Sequence, residues 1–195
     1  MYIKDPEGFK KLVAYNKSEQ LMEVCFSVTK QFKYLRDKTL EALADQMDRS
    51  ARSVKQNIVE GWKRNTIEEY LSFLGFALAS LAELMEDVDD IIKGRYEGLK
   101  GVTGIMGEKG IEMAIEEIEA LPFYPLPPFL PLIIELKLRC KELSYLIYRL
   151  QQSLDKKMIA EGTLPIRKKL KNRQQGITEA DKWLEDYMKD NKPTH

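Results

Sequence analysis

The chain has a single histidine, His195, so it cannot assemble a hydrolytic triad or any mechanism built on a histidine general base. The same scarcity removes the bundle-type metal site that places a Glu-x-x-His pair on each of two facing helices. There are two cysteines, Cys25 and Cys140. Each lies in an apolar helical stretch, where a small buried thiol is the expected role rather than a disulfide or a metal ligand. That usage fits a reducing cytoplasm. Net charge is missing as well, since 31 basic residues balance 31 acidic ones, and the total therefore points to neither a nucleic acid nor a membrane. No stretch approaches the roughly 18 uninterrupted apolar residues of a membrane span, and the opening MYIKDPEGFKK is polar, so neither export nor a spanning helix is expected.

What the sequence does have is helical periodicity. From Pro6 to about Arg36 the residues are good helix formers, with Leu21, Val24, Cys25, Val28, Phe32 and Leu35 at three- and four-residue spacing. A second helix is built on Leu40, Leu43, Met47, Ala51, Val54 and Ile58 and should end between Gly61 and Lys63. Asn65 or Thr66, each with a glutamate three residues on, offers a cap for a third helix that keeps its register to Gly94. A fourth helix runs on Ile133, Leu136, Cys140, Leu143, Ile147, Leu150 and Leu154, alternating threes and fours as a bundle seam does. No segment shows strand alternation. The expected fold is an all-α antiparallel four-helix bundle over 1–155, followed by a basic tail over 156–195 that holds a short amphipathic helix with Trp183, Leu184 and Tyr187.

Between the third and fourth helices, 94–131 is rich in glycine and proline and reads as a long connection with one short amphipathic helix on Ile111, Ala114, Ile115, Ile118 and Leu121. No Gly-Lys-Ser/Thr closes its glycine run, so it is no phosphate loop. GEKG has the spacing of the KH-domain clamp but no sheet to carry it, and reads as loop. The acidic cluster Glu83, Glu86, Asp87, Asp89 and Asp90 reads as a solvated face, with Glu86 and Asp90 opposite the apolar stripe. No metal, cofactor or catalytic residue is expected.

Charge is segregated along the chain. Residues 83–119 hold eleven acidic and four basic residues, whereas 137–173 hold eleven basic and three acidic. Two cationic sets could track a phosphate backbone. One is Arg49, Arg52, Lys55, Lys63 and Arg64, on and just after the second helix; the other is Arg167, Lys168, Lys169, Lys171 and Arg173 in the tail. Alternatively, the acidic and basic stretches face each other within the bundle or between subunits.

The stretch QMDRSARSVKQNIVEGWKRNTIEEYLSFLGFALASLAEL, residues 46–84, closely resembles the signature of the four-helix-bundle family of 23S rRNA intervening-sequence proteins, whose relatives include the accessory variability proteins of diversity-generating retroelements. The matching positions are Gln46, Arg49, Ser50, Ala51, Ser53, Val54, Asn57, Ile58, Glu60, Gly61 and Arg64, then Tyr70, Phe73, Leu74, Ala77, Ser80, Leu81, Glu83 and Leu84. FKYLRDKTLEAL lacks the proline and Gly-Leu usual between the family's first two helices, and Leu78 and Ala79 replace its common Arg-Gly pair. The resemblance implies a small bundle without enzymatic activity, often a pentameric ring. In the retroelement branch it implies a basic surface that binds a reverse transcriptase and its RNA or DNA.

Within the signature, Gly61 is expected to close the second helix in a left-handed conformation, with Asn57 and Glu60 bonding across the corner. Ser50, Ala51, Ser53 and Ser80 are small enough to let helices approach closely. Together these readings give a cytoplasmic, homo-oligomeric, non-catalytic accessory protein that binds nucleic acid, as partner of a reverse transcriptase or associated with an rRNA intervening sequence. The alternative is a protein–protein adaptor that docks partners by its Pro-aromatic loop and tail.

Overall fold

The apolar runs spaced by threes and fours form four helices, α1 (Val13–Lys33), α2 (Lys38–Trp62), α3 (Ile67–Ile92) and α4 (Leu132–Ala160). The structure, a computed structural model, describes residues 5–99, 130–160 and 182. Among the described residues there is no strand, and no helix is long and apolar enough to cross a membrane. The expected short helix at 111–121, the Pro-rich segment after it, the GEKG loop and the tail helix lie outside the described residues.

Local chemistry fixes the helix ends. Asp37 starts α2 by accepting from the backbone N–H of Thr39 at 2.8 Å and of Leu40 at 3.3 Å. At α3 the cap is Thr66 rather than Asn65. Its hydroxyl accepts from Glu69 N–H at 3.2 Å and donates to the Glu69 carboxylate at 3.1 Å, which ties the first turn twice. Gly94 ends α3 with φ 72°. Arg95 N–H reaches Asp90 O at 3.1 Å and Gly94 N–H reaches Ile91 O at 3.0 Å, the paired closure that only a left-handed residue permits.

The first helix departs from expectation at both ends. A 3₁₀ turn, Gly8–Lys11, precedes it, Leu12 is extended with ψ 128°, and α1 begins only at Val13. The break lets the turn fold over the end of α2, where Trp62 Nε1 donates to the Asp5 carbonyl at 3.1 Å. A Cβ on Gly8 would stand 2.4 Å from the Trp62 ring, so only glycine fits that seat. At the other end α1 stops at Lys33, and Leu35, counted on its apolar stripe, is 38% exposed. The corner is made with Arg36 at φ 52°, a strained choice for a residue with a Cβ. Val24 is half-buried at the edge of the stripe rather than in it.

The four stripes meet in one core. Leu21, Cys25, Val28 and Phe32 of α1 pack with Met47, Ala51, Val54 and Ile58 of α2 and with Tyr70, Leu74, Ala77, Leu81 and Leu84 of α3. All seven seam positions named for α4 are buried. At about 2 kcal/mol for each large apolar side chain taken from water, that seam is a large part of what holds α4. Cys25 and Cys140 are both buried free thiols, and burial pushes both above their ordinary range, so neither is a reactive thiolate. The helix continues past 155, the expected limit of the bundle, to Ala160.

Contacts across the seams establish the antiparallel order. Thr29 with Asp48 and Glu19 with Lys55 run α1 against α2. Gln46 with Asp87 and Ser53 with Ser80 run α2 against α3, and Lys17 with Glu142 and Gln20 with Arg139 run α1 against α4. Each helix packs against two neighbours in the sequence α1, α2, α3, α4 and back to α1.

Candidate nucleic-acid interface

The matching signature residues of α2 and α3 divide into two kinds. Gln46, Ser50, Ser53, Ser80 and Glu83 among the polar ones form a ladder between the two helices. Gln46 Nε2 donates to Asp87 Oδ1 at 3.1 Å, Ser50 Oγ to Glu83 Oε2 at 3.4 Å, and the Ser53 and Ser80 hydroxyls stand 2.9 Å apart. Such a hydroxyl contact requires two small residues facing each other, as the sequence suggests.

Gly61 corrects the turn reading. It lies inside α2, not beyond it, and is buried. A Cβ there would stand 2.4 Å from Tyr70 Cδ2 and 3.0 Å from Phe73 Cβ, so the position needs glycine because α3 approaches so closely, not because of a left-handed φ. Asn57 and Glu60 do not bridge the corner either. Asn57 Nδ2 donates back to the Ser53 carbonyl at 3.0 Å and its hydroxyl at 3.2 Å, and Glu60 pairs with Arg64 at 3.6 Å. Each finds its partner one helical turn away along the chain, not across the corner.

The cations Arg49, Arg52, Lys55, Lys63 and Arg64 do not form one patch. Asp48 and Lys55 both contact α1, which places Arg52 on the α1 side of α2. Gln46 and Ser53 contact α3, which places Arg49 on the α3 side. Arg64 is also on that side, its guanidinium carbon 4.2 Å from the centroid of the Phe73 ring. Lys63 caps the end of α2 and is exposed.

Carboxylates claim several of these charges. Arg49 pairs with Asp45 at 3.2 Å and Lys55 with Glu19 at 3.8 Å. Arg52 and Lys63 are exposed and make no ion pair among the described residues. Exposed ion pairs of this kind are worth about 0–1 kcal/mol, so a phosphate can displace the carboxylate at little cost. Arg167, Lys168, Lys169, Lys171 and Arg173 lie outside the described residues.

The acidic cluster of α3 is only partly a solvated face. Glu86 is exposed, but Asp90 is half-buried and pairs with Arg95 at 2.7 Å, because the closing turn brings that arginine back over it. Asp89 pairs with Lys137 of α4 at 2.9 Å, so the acidic and basic stretches face each other at this point of the bundle. Asp87 turns toward α2, and its burial raises its pKa above the ordinary carboxylate range. Among the described residues no group of three or more His, Cys, Asp or Glu could hold a metal ion.

The arrangement of the first three helices coincides with a known sequence pattern. Residues 10–96 match the family model of the 23S rRNA-intervening sequence protein. The match runs from the 3₁₀ turn through α1, α2 and α3 and stops before α4, so it covers less than half of the chain. No curated protein and no solved structure matches it.

Two features of the surface and seams escape the periodicity. Phe73 and Phe76 stand edge to face on α3, 5.7 Å between ring centroids, and Phe76 is 57% exposed. The signal was present, since both fall off the stripe of Leu74, Ala77 and Leu81. The other feature is a buried ion pair, Lys17 Nζ to Glu142 Oε1 at 2.9 Å, with side chains only 12% and 8% exposed. Nothing in the spacing marks it, because Glu142 is one residue from the seam position Leu143 and could as well have faced water.

Proposed function

We propose that this protein is a non-catalytic accessory protein that binds RNA or DNA through the cations on and just after α2. The match of 10–96 to the 23S rRNA-intervening sequence protein carries the reading, because that name ties the α1–α3 unit to ribosomal RNA. Arg52 and Lys63, exposed and without an ion pair among the described residues, support it, as does the surplus of basic residues over 137–173. A reverse transcriptase is the protein partner that the retroelement relatives suggest testing first. The bundle self-associates in this reading, with a pentamer expected by sedimentation or light scattering, and a monomer of 22.6 kDa at micromolar concentration contradicts that part.

The test is fluorescence anisotropy with a labelled single strand, a duplex and a structured RNA between about 50 and 200 mM salt, a range over which six to ten phosphate contacts change affinity by roughly a thousandfold or more. Affinity should fall steeply with salt and show little sequence preference. Replacing Arg49, Arg52, Lys63 and Arg64 together by Gln should lower both affinity and salt slope and leave the fold intact, because none of the four is buried in the core. Removing 167–195 tests the tail set in the same way. Absence of binding to all three probes at the low-salt end refutes the reading.

A further inference from the structure

We propose that the outer face of α4 is the seat of the chain's own C-terminal segment 177–190, held by an aromatic stripe and by charge. α4 meets α1 through Arg139 and Glu142 and α3 through Lys137, with its buried seam facing inward between them. At about 100° per residue the opposite side carries Lys141, Tyr145, Tyr148, Gln152, Lys156 and Ile159, spaced by threes and fours. A bundle helix is expected to be polar on its outer side. Here aromatic and aliphatic side chains recur instead. Tyr148 and Ile159 are 54% and 77% exposed, and Leu138, one turn before Lys141, is apolar too.

The charge on this face is mainly positive. Lys141, Arg149 and Lys156 fall on or beside the stripe, and against them a single carboxylate, Asp155, lies at its α3 edge. Glu142, the neighbour of Lys141, is turned into the α1 seam and held by Lys17. Segment 177–190 is the counterpart. Read as a helix, it puts Ile177, Ala180, Trp183, Leu184 and Tyr187 on one stripe, with Glu179, Asp186 and Asp190 along one border and Asp181 and Glu185 along the other. Its two lysines, Lys182 and Lys189, fall on the side opposite that stripe, and Lys182 is helical and exposed. An apolar stripe bordered by carboxylates thus matches an aromatic stripe bordered by cations.

The tether favours this seat. Ala160 ends α4 at the foot of the stripe, and the sixteen residues 161–176, with Gly162 and Pro165 to break the helix, are enough to bring the segment back alongside. At about 1.5 Å per helical residue the stripe from Lys141 to Ile159 is about 27 Å long and the segment about 21 Å. Docking within one chain needs little affinity, because the segment never leaves the vicinity of its seat. α3 is no alternative. Its exposed Phe76 stands on a helix without lysine or arginine, whose exposed charges Glu68, Glu69, Glu83 and Glu86 repel an acidic segment. Lys141, Arg149 and Lys156 are then covered by the segment in the resting chain. This docking is independent of the nucleic-acid reading, since it is measured without any ligand.

Hydrogen exchange of the full chain, read by mass spectrometry, is the test. Amides of 177–190 should exchange at least about tenfold more slowly than in an unfolded chain, as for a segment seated about nine-tenths of the time, and dilution should not change this. Lys141→Glu combined with Lys156→Glu should remove the protection, as should Tyr148→Glu alone, while α2 amides stay as in wild type. Adding Glu179→Lys and Glu185→Lys to the lysine pair should restore it. Should the lysine variant unfold, seen in its α2 amides, Tyr148→Glu decides alone, since Tyr148 is more than half exposed. Unprotected wild-type amides overturn the proposal. So does protection that survives the α4 variants, which would place the segment elsewhere, and protection lost on dilution, which would make the occupant a second copy of the chain. If the variants instead deprotect 111–121, the seat belongs to the acidic connection before α4 and the proposal fails as well.

Discussion

The buried pair Lys17–Glu142 makes a quantitative prediction about what joins α1 to α4. Both side chains are nearly out of water and 2.9 Å apart. Burial raises the pKa of Glu142, opposed by the Lys17 charge, and burial lowers that of Lys17, opposed by Glu142. In each group the loss of hydration outweighs the attraction, the circumstance in which replacing a buried pair by apolar residues of similar size is often neutral or stabilising.

Removing one partner is different, because a lone charge is then left in the seam. Breaking a buried pair in this way costs about 3–5 kcal/mol. Arg139, which is bonded to Glu135 at 2.6 Å and to Gln20 at 3.1 Å, lies close enough to relieve part of it for Glu142. We expect Lys17→Met to cost about 2–4 kcal/mol and Glu142→Leu a similar amount. The double variant should lie within about 1 kcal/mol of wild type or above it, a coupling read from urea unfolding of all four proteins.

The pH dependence has a definite sign. Glu142 has a raised folded pKa, so its contribution is fully present below the ordinary glutamate range near pH 4.3 and is lost as pH rises through the folded value. The stability gap between wild type and Glu142→Leu should therefore widen on acidification. Additive single-variant costs, with the double variant the least stable of the four, would refute the reasoning.

Gly61→Ala should destabilise by about 1–3 kcal/mol through its contact with Tyr70, whereas Gly75→Ala, in open space on the same pair of helices, should stabilise by up to about 1 kcal/mol; thermal melts rank them. Ile58→Asp should cost several kcal/mol or unfold the protein, because Ile58 is wholly buried, and Arg52→Glu, on the exposed side of the same helix, should stay within about 0.5 kcal/mol. The Tyr15 hydroxyl donates to Glu19 at 2.7 Å, and that bond together with burial pushes its pKa up to about 12. Its contribution is present below the usual tyrosine value near 10 and lost as pH rises toward about 12, so the cost of Tyr15→Phe should shrink over that interval in alkaline denaturation.

The helices, their antiparallel order and the core were legible in the sequence, because three- and four-residue spacing is a property of one helix at a time. The α4 seam and the Gly94 stop are the clearest cases: seven positions on one stripe, all buried, and a glycine where the chain must turn left-handed. Short-range chemistry was also readable at Thr66, with its glutamate three residues on.

What the spacing could not supply is which neighbour each off-stripe side chain meets. Gly61 reads as a terminator until α3 is seen to lie against it, and a Leu12 break makes sense only once Trp62 is found beneath Gly8. The cations of α2 are one set along the chain and two faces in space, because positions three and four apart stay together while those one or two apart diverge around the helix. The Lys17–Glu142 pair is the extreme case. Its residues are far apart in sequence, each is unremarkable locally, and only the docking of α4 on α1 takes both charges out of water.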